Sequence, residues 1–349
     1  MKIRAIIYIL STITLLSLSG CAYLLDSSEK IIIKDQSYSV NLKKLNLANV
    51  RGSKRGPLTN ADIEPLKYMT NLTTLNLNYN DITDISVLAG LTNLTVLSLD
   101  GTQIDDFSVL QELTNLKELR INAGGVNDIS SLSGLVNLTH LYLDSNQIND
   151  INALKELVNL KDLRLAKNDI SNIDALSGLT NLIELYLWDN KINDINALSG
   201  LINLTHLYLD SNQINDISGL AGLINLEDLR LGQNQISDIN DLCGLKKLTV
   251  LYLQNNPSKD FKSLQELTNL KRLSLHGTLV DDISILYALK NLEDLDISNT
   301  QVTDVTVLQE LTKLELLYIS NISEEQKAAL KTTLPNCKIH LIELSHEIE

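Results

Sequence analysis

The side chains with chemistry to offer are Tyr, Arg and a single Trp, and they recur at a fixed interval. Arg120, Tyr142, Arg164, Tyr186, Tyr208, Arg230 and Tyr252 stand 22 residues apart, each in the middle of a short Leu-x-Leu or Leu-x-Ile stretch. Two residues before this column lie His140 and His206; two residues after it lie Asp144, Trp188 and Asp210. If each stretch is a strand, neighbours in a column stand about 4.8 Å apart, close enough for an Arg to lie over a Tyr ring. Such a contact is worth about 0.5–1 kcal/mol when exposed. Tyr, Trp and Arg also dominate the energetics of protein interfaces, so the chemistry implied is recognition. A second origin stands beside this one. His140-Leu-Tyr142-Leu-Asp144 recurs as His206-Leu-Tyr208-Leu-Asp210, so duplication of the chain alone regenerates much of the pattern. Duplication does not account for Trp188, whose counterparts three units away are Asn122 and Gln254.

Other chemistries find no support. None of the five histidines lies in a His-Glu-x-x-His pattern or at zinc spacing from a cysteine. His140 and His206 are separated by three strands, roughly 14 Å, too far to share a metal. The chain has no Gly-x-Ser-x-Gly, P-loop or dinucleotide fingerprint. One recurrent Asp per unit, as at Asp84, Asp150, Asp194 and Asp238, suits a turn cap better than a calcium site of six to eight oxygens. Cys243 and Cys337 are about 20 Å apart along such an array, beyond the roughly 7 Å limit for a disulfide. No cofactor, metal or catalytic residue is expected. With 29 basic and 43 acidic side chains the net charge is −14, which disfavours binding to nucleic acid.

The elements that must position the column follow from the period. Leu72, Leu94, Leu116 and nine further leucines to Leu314 each open the pattern Leu-x-x-Leu-x-Leu/Ile, and twelve units run without a gap. An irregular earlier unit begins at Leu42. The alternating stretch reads as a strand with its leucines inward. Asn recurs three residues after the last strand leucine, at Asn80, Asn146, Asn168, Asn190, Asn212, Asn234 and Asn256, where stacked amides can satisfy buried backbone. Thr102, Gly124, Thr278 and Thr300 replace it. About ten residues remain for the return, enough for a 3₁₀ turn but not a long helix. No unit buries its leucines alone, so the units must stack.

This pattern resembles a leucine-rich repeat array, and its Leu-Thr-Asn-Leu and Asp-Ile-x-x-Leu signatures resemble the bacterial internalin type. The resemblance implies an α/β solenoid: a leucine-rich repeat arc with a concave parallel β-sheet and short 3₁₀ or irregular convex returns. It also implies a protein partner on the concave face. The expected organisation is a leucine-rich repeat domain over 41–322 and a C-terminal cap over 323–349, with a helix near Glu325–Leu330 and a final strand near Cys337–Ile342. The sequence departs from internalins in showing no obvious helical N-terminal cap, no immunoglobulin-like domain after the repeats, and a lipid in place of a wall anchor.

That lipid anchor is read from the first residues. Lys2 and Arg4 precede an apolar run from Ala5 to Leu18, too short for a comfortable span of about 20 residues, and the run ends in Leu18-Ser19-Gly20-Cys21. This resembles the lipobox of bacterial lipoproteins, which implies cleavage after residue 20 and acylation of Cys21. Several acyl chains together anchor stably where one does not. Removing 1–20 leaves a net charge of −16. Residues 21–40 are then the lipidated Cys with a tether or N-terminal cap. The expectation is a monomeric, non-catalytic recognition module of a bacterial cell envelope, exported and lipid-anchored, that binds a protein of the envelope or a host through Arg120, His140, Tyr142, Asp144, Arg164, Tyr186, Trp188, His206, Tyr208, Asp210, Arg230 and Tyr252. A glycan or cell-wall ligand, or a structural envelope role, is the alternative.

Overall fold

The computed structural model describes residues 29–50 and 56–342; the leader and Cys21 lie outside the described residues. The chain divides into two compact units, Met1–Asn146 and Gln147–Glu349.

The first unit begins with an antiparallel hairpin of β1 (Lys30–Ile33) and β2 (Gln36–Ser39), turned through Lys34 and Asp35, both at positive φ. Ile31 and Ile33 face inward. Folded structure therefore starts inside the segment read as a tether or N-terminal cap. A parallel sheet follows, built from β3 (Lys44–Asn46), β4 (Thr74–Asn76), β5 (Val96–Ser98), β6 (Glu118–Arg120) and β7 (His140–Tyr142). Between β3 and β4 lies a feature the repeat pattern did not disclose, a helical turn α1 (Asn60–Ile63) that runs into a 3₁₀ turn at Glu64–Tyr68. Thr59 and Asp62 close its first turn, the Thr59 N–H donating to Asp62 Oδ2 at 2.8 Å.

The second unit continues the same construction with β8 (Asp162–Arg164), β9 (Glu184–Tyr186), β10 (His206–Tyr208), β11 (Asp228–Arg230), β12 (Val250–Tyr252), β13 (Arg272–Ser274), β14 (Asp294–Ile297), β15 (Leu316–Ile319) and β16 (Lys338–Leu341). All are parallel and in register, Leu185 opposite Leu207 and Leu207 opposite Leu229. Before β16, α2 (Glu324–Thr333) closes the stack, capped reciprocally by Ser323 and Gln326 and burying Leu330. Among the described residues no helix is long and apolar enough to cross a membrane.

Each coil is held by the same few contacts. The strand leucines are fully buried, as at Leu185, Leu187, Leu207 and Leu209, and the residues between them face out. Returns are 3₁₀ turns such as Asn196–Leu198 and Ser218–Leu220, each preceded by a buried Ile. The preceding Asp ties down the turn: Asp216 Oδ1 accepts the Ser218 N–H at 2.8 Å, and that bond holds the carboxyl below its ordinary range. Leaving the strand, the chain passes through a left-handed residue, Ser211 at φ 56° for one, an uncommon conformation for a side chain with a Cβ. The next residue, Asn212, locks this turn. Its Nδ2 donates to Leu187 O and Leu209 O, both at 3.0 Å, and its Oδ1 accepts the Ile192 N–H at 3.0 Å. Where Thr replaces Asn, only one of these bonds survives, Thr278 Oγ1 donating to Leu275 O at 2.7 Å.

Candidate functional site

In the first unit, Arg120 lies over Tyr142, its Cζ 4.3 Å from the ring centroid, while its Nε donates to Glu118 Oε1 at 2.6 Å. Tyr142 is thereby covered and only 7% exposed, which departs from the open aromatic expected there. The His140 ring is 6.4 Å from it. His140 Nδ1 is 2.9 Å from Thr139 Oγ1, and that hydroxyl donates to Lys117 O at 3.0 Å. A hydroxyl has one proton, so in this contact Nδ1–H is the donor. The Asp144 N–H is held by Asn122 Oδ1 at 2.8 Å, part of a ladder in which Asp100 Oδ1 likewise accepts the Asn122 N–H.

The second unit carries a longer assembly. Arg164 grips its own strand's Asp162 with two bonds, Nε to Oδ1 at 3.2 Å and Nη2 to Oδ2 at 3.1 Å, and lies 4.5 Å over the Tyr186 ring. Tyr186 meets Tyr208 edge to face at 4.8 Å and donates its hydroxyl to Glu184 Oε2 at 2.7 Å. Tyr208 donates to Asp228 Oδ2 at 2.9 Å. Arg230 repeats the Arg164 grip on Asp228 and lies between two rings, 4.1 Å from Tyr208 and 5.1 Å from Tyr252. Burial, reinforced by the carboxylate that accepts each hydroxyl proton, raises both phenols; Tyr208 is pushed up to about 12 and Tyr186 further. Both stay neutral hydrogen-bond donors at any ordinary pH.

Trp188 is half-buried beside this ladder, with Lys167 Nζ 5.0 Å from its ring. Lys167 was missed because the strand pattern places it in the exit turn; its φ of 55° is what brings the ammonium back over the indole. His206 shares a 2.9 Å bond with Thr205 as His140 does with Thr139. Asp210 is spent on backbone, its Oδ1 accepting the Gly232 N–H at 3.0 Å and Gln254 Nε2 at 3.3 Å, and burial raises its carboxyl above the usual range. The twelve expected residues thus sort into Arg120, His140, Tyr142 and Asp144 on the first unit and the remaining eight on the second.

Beyond Tyr252 the second unit has a polar set the pattern did not single out. His276 Nδ1 is 2.8 Å from Ser298 Oγ, which donates to Asp296 Oδ1 at 2.6 Å. Ser298 is 2% exposed and its proton goes to the carboxylate, so this trio positions Asp296 and does not arm a serine nucleophile. No group of three or more His, Cys, Asp or Glu side chains that could hold a metal occurs among the described residues.

Stacked strand-and-3₁₀ coils with an outward Arg–Tyr face define a leucine-rich solenoid. The family model for leucine-rich repeats (2 copies) matches residues 70–112, 114–156, 158–200, 180–222, 202–244, 224–266 and 268–310, and the chain belongs to that family. It is similar to the crystal structure of an internalin (inlF) from Listeria monocytogenes, at 31% identity and TM-score 0.80, over 89% of this chain and 91% of that one. A leucine-rich repeat protein of Leptospira interrogans is similar at 24% identity and TM-score 0.67, over 86% and 90%. A plant peptide hormone receptor, RGFR1 in complex with RGF2, shares the fold at 18% identity and TM-score 0.59, over 81% and 56%. No curated protein sequence matched. Leucine-rich repeat proteins and internalins are typically protein-interaction modules without catalytic activity.

Proposed function

We propose that this chain, with repeats 22 residues long of the internalin type, is an exported bacterial lipoprotein. On this reading it is anchored through Cys21, with residues 21–40 leading from the lipid into the folded body. It presents its sheet face to a protein partner and is not an enzyme. The observation that carries the recognition reading is the ladder from Arg164 to Tyr252. Each guanidinium is gripped by a carboxylate of its own strand and laid on tyrosine rings, so long side chains are already ordered. Binding then spends little on freezing them, which is how Arg and Tyr become interface anchors. A glycan finds less open ring surface on the ladder, because a guanidinium lies over Tyr186 and over Tyr208 and the two rings meet edge to face. Trp188, beside the ladder and half-exposed, is the anchor offered to the partner.

The test is affinity capture from detergent-solubilised envelope with the native chain and with Trp188→Ala plus Tyr208→Ala, matched in circular dichroism. The native chain should retain a protein that the double variant loses. Identical captured sets would overturn the site. The anchor is tested apart from it: Cys21→Ser should leave the chain unlabelled by a fatty-acid probe and free of the membrane fraction, and persistent labelling would refute lipidation at Cys21.

A further inference from the structure

On three strands of the sheet an acid is followed two residues later by an arginine: Glu118 and Arg120, Asp162 and Arg164, Asp228 and Arg230. In each case the two side chains are paired, at 2.6, 3.1 and 3.1 Å. In each case the arginine also lies on a tyrosine ring. The acid of Glu184 is served instead by the Tyr186 hydroxyl. On β14 the pattern breaks. Asp294 is followed by Asp296, and the strand before it carries the short Ser274 in the same column.

The outcome is an open groove of about 390 Å³ on the second unit, walled by Tyr252 and Tyr318 with Ser274 and the two aspartates between. Three strand spacings, roughly 14 Å, separate the walls. The Asp294 N–H donates to Lys271 O at 2.9 Å, but its carboxylate has neither a hydrogen bond nor an ion pair among the described residues. Arg272 stands opposite it in register without closing to salt-bridge distance. Burial, with a smaller push from the Asp296 charge, raises the Asp294 carboxyl against the opposing field of Arg272. Asp296 is held in place through Oδ1 by the Ser298 N–H at 3.0 Å and hydroxyl at 2.6 Å, which leaves Oδ2 open. Gln254 lines the same groove with a buried Oε1 that has no hydrogen-bond partner. His340 stacks on Tyr318 at 4.9 Å and supports that wall from behind. The groove therefore holds every part of the acid–arginine–tyrosine unit repeated elsewhere on the face except a guanidinium paired with its acids and laid on its rings, which Arg272, among the described residues, does not supply.

We infer that this groove seats an arginine side chain presented by the protein partner, between Tyr252 and Tyr318 and paired with Asp294 and Asp296. A guanidinium suits it better than an ammonium because its flat fork can take two carboxylate oxygens while its face meets a ring, as Arg164 and Arg230 already do in this molecule. The source of the arginine rests on the protein-partner reading above, but the groove can be probed without any partner.

The probe is N-acetyl-L-arginine methylamide, titrated at low salt into the full chain with isotope-labelled tyrosine rings and followed by NMR. The neutral isostere N-acetyl-L-citrulline methylamide serves as control. The arginine probe should shift Tyr252 and Tyr318 saturably and bind at least tenfold more tightly than the citrulline probe. Asp294→Asn should weaken it at least tenfold. Asp296→Arg, which supplies the missing arginine at the usual spacing, should abolish its binding and keep the inference testable if the Asn variant misfolds. Absence of a saturable shift, equal binding of citrulline, or undiminished binding to either variant overturns it. Loss of partner capture by the Trp188 and Tyr208 double variant alongside a silent probe would sink the groove alone. A responsive groove with unchanged capture would sink only the Trp188 site.

Discussion

Asn212→Ala isolates the device that makes each coil close. The amide reaches three backbone groups within a strand's width: it donates to Leu187 O and Leu209 O at 3.0 Å and accepts from Ile192 N–H at 3.0 Å, with a weaker contact to Asp210 O at 3.3 Å. The residue is 8% exposed, so water replaces these bonds poorly. A buried group left unmade costs about 1–3 kcal/mol. The Ile192 N–H has no other acceptor among the described residues and bears the full penalty, whereas a carbonyl with two lone pairs bears less. The expected loss is about 3–5 kcal/mol. Thr278→Val removes only the 2.7 Å bond to Leu275 O and should cost about 1 kcal/mol. Urea unfolding gives the first quantity, and amide exchange at Ile192 gives a local one. Stack stability is a sum of coil and neighbour terms, so protection should fall at Ile192 before distant coils respond. If Asn212→Ala cost no more than Thr278→Val and the Ile192 amide stayed protected, the amide ladder would not be what closes the turn.

Two titrations follow from the sheet face. Burial raises Asp210 above the ordinary 3.8, so the folded state holds its proton to higher pH than the unfolded chain, and the charged carboxylate destabilises the fold at neutral pH. Asp210→Asn, whose amide oxygen can still accept the Gly232 N–H, should therefore stabilise at pH 7, with the gain fading as pH falls through the folded value to below 3.8. Paired urea midpoints across that range check it; a gain that persisted in acid would contradict the cause. Asp216 has the opposite sign, since its carboxyl is lowered by the Ser218 N–H and its contribution is lost only as pH drops below 3.8. For Tyr208, Asp228→Asn removes the charge behind part of the rise and should bring the phenol from about 12 toward 10.0 in an ultraviolet phenolate titration. An unmoved midpoint would mean that burial alone sets it.

The coils were legible because one physical constraint repeats. A buried leucine pair, an amide three residues on and a turn-capping Asp leave the same trace in most units, so strands such as His206–Tyr208 and turns such as Ser218–Leu220 could be read directly. The arginine–tyrosine contacts were legible too, since strand spacing alone puts Arg230 beside Tyr208 and Tyr252. What escaped lies where backbone direction departs from the strand. Lys167 reaches Trp188 only through a left-handed turn, and the β1–β2 hairpin has no repeat to announce it. Burial of Tyr142 also escaped, because alternation says which face a side chain takes but not that a neighbouring guanidinium will cover it. A second amide ladder was visible only as a signature: Asn203 Nδ2 donates to Thr180 O at 2.9 Å and Asn225 Nδ2 to Ile202 O at 2.8 Å, which explains the Asn in Leu-x-Asn-Leu.

The arginines and acids of the second unit also bear on what kind of surface this is. A strongly acidic chain could attract a basic partner through its overall field, but that attraction is screened within about 8 Å at physiological ionic strength. On the ladder the acids are not available for it. Asp162 and Asp228 are nearly buried and each is neutralised by its own arginine, so from Arg164 to Arg230 the face offers aromatic edges and guanidinium planes and little free negative charge. Carboxylates without a paired guanidinium stand together instead at Asp294 and Asp296, in the groove that the ladder's Tyr252 also lines. A partner that fits both must carry an apolar patch for the ladder and a cation at a set distance from it. Salt should then weaken its capture through the groove while leaving the contribution of Trp188 and Tyr208 nearly unchanged. Capture measured at rising salt with native chain and Asp294→Asn makes the distinction: the two should converge at high salt, and parallel curves would show that the groove contributes no charge recognition.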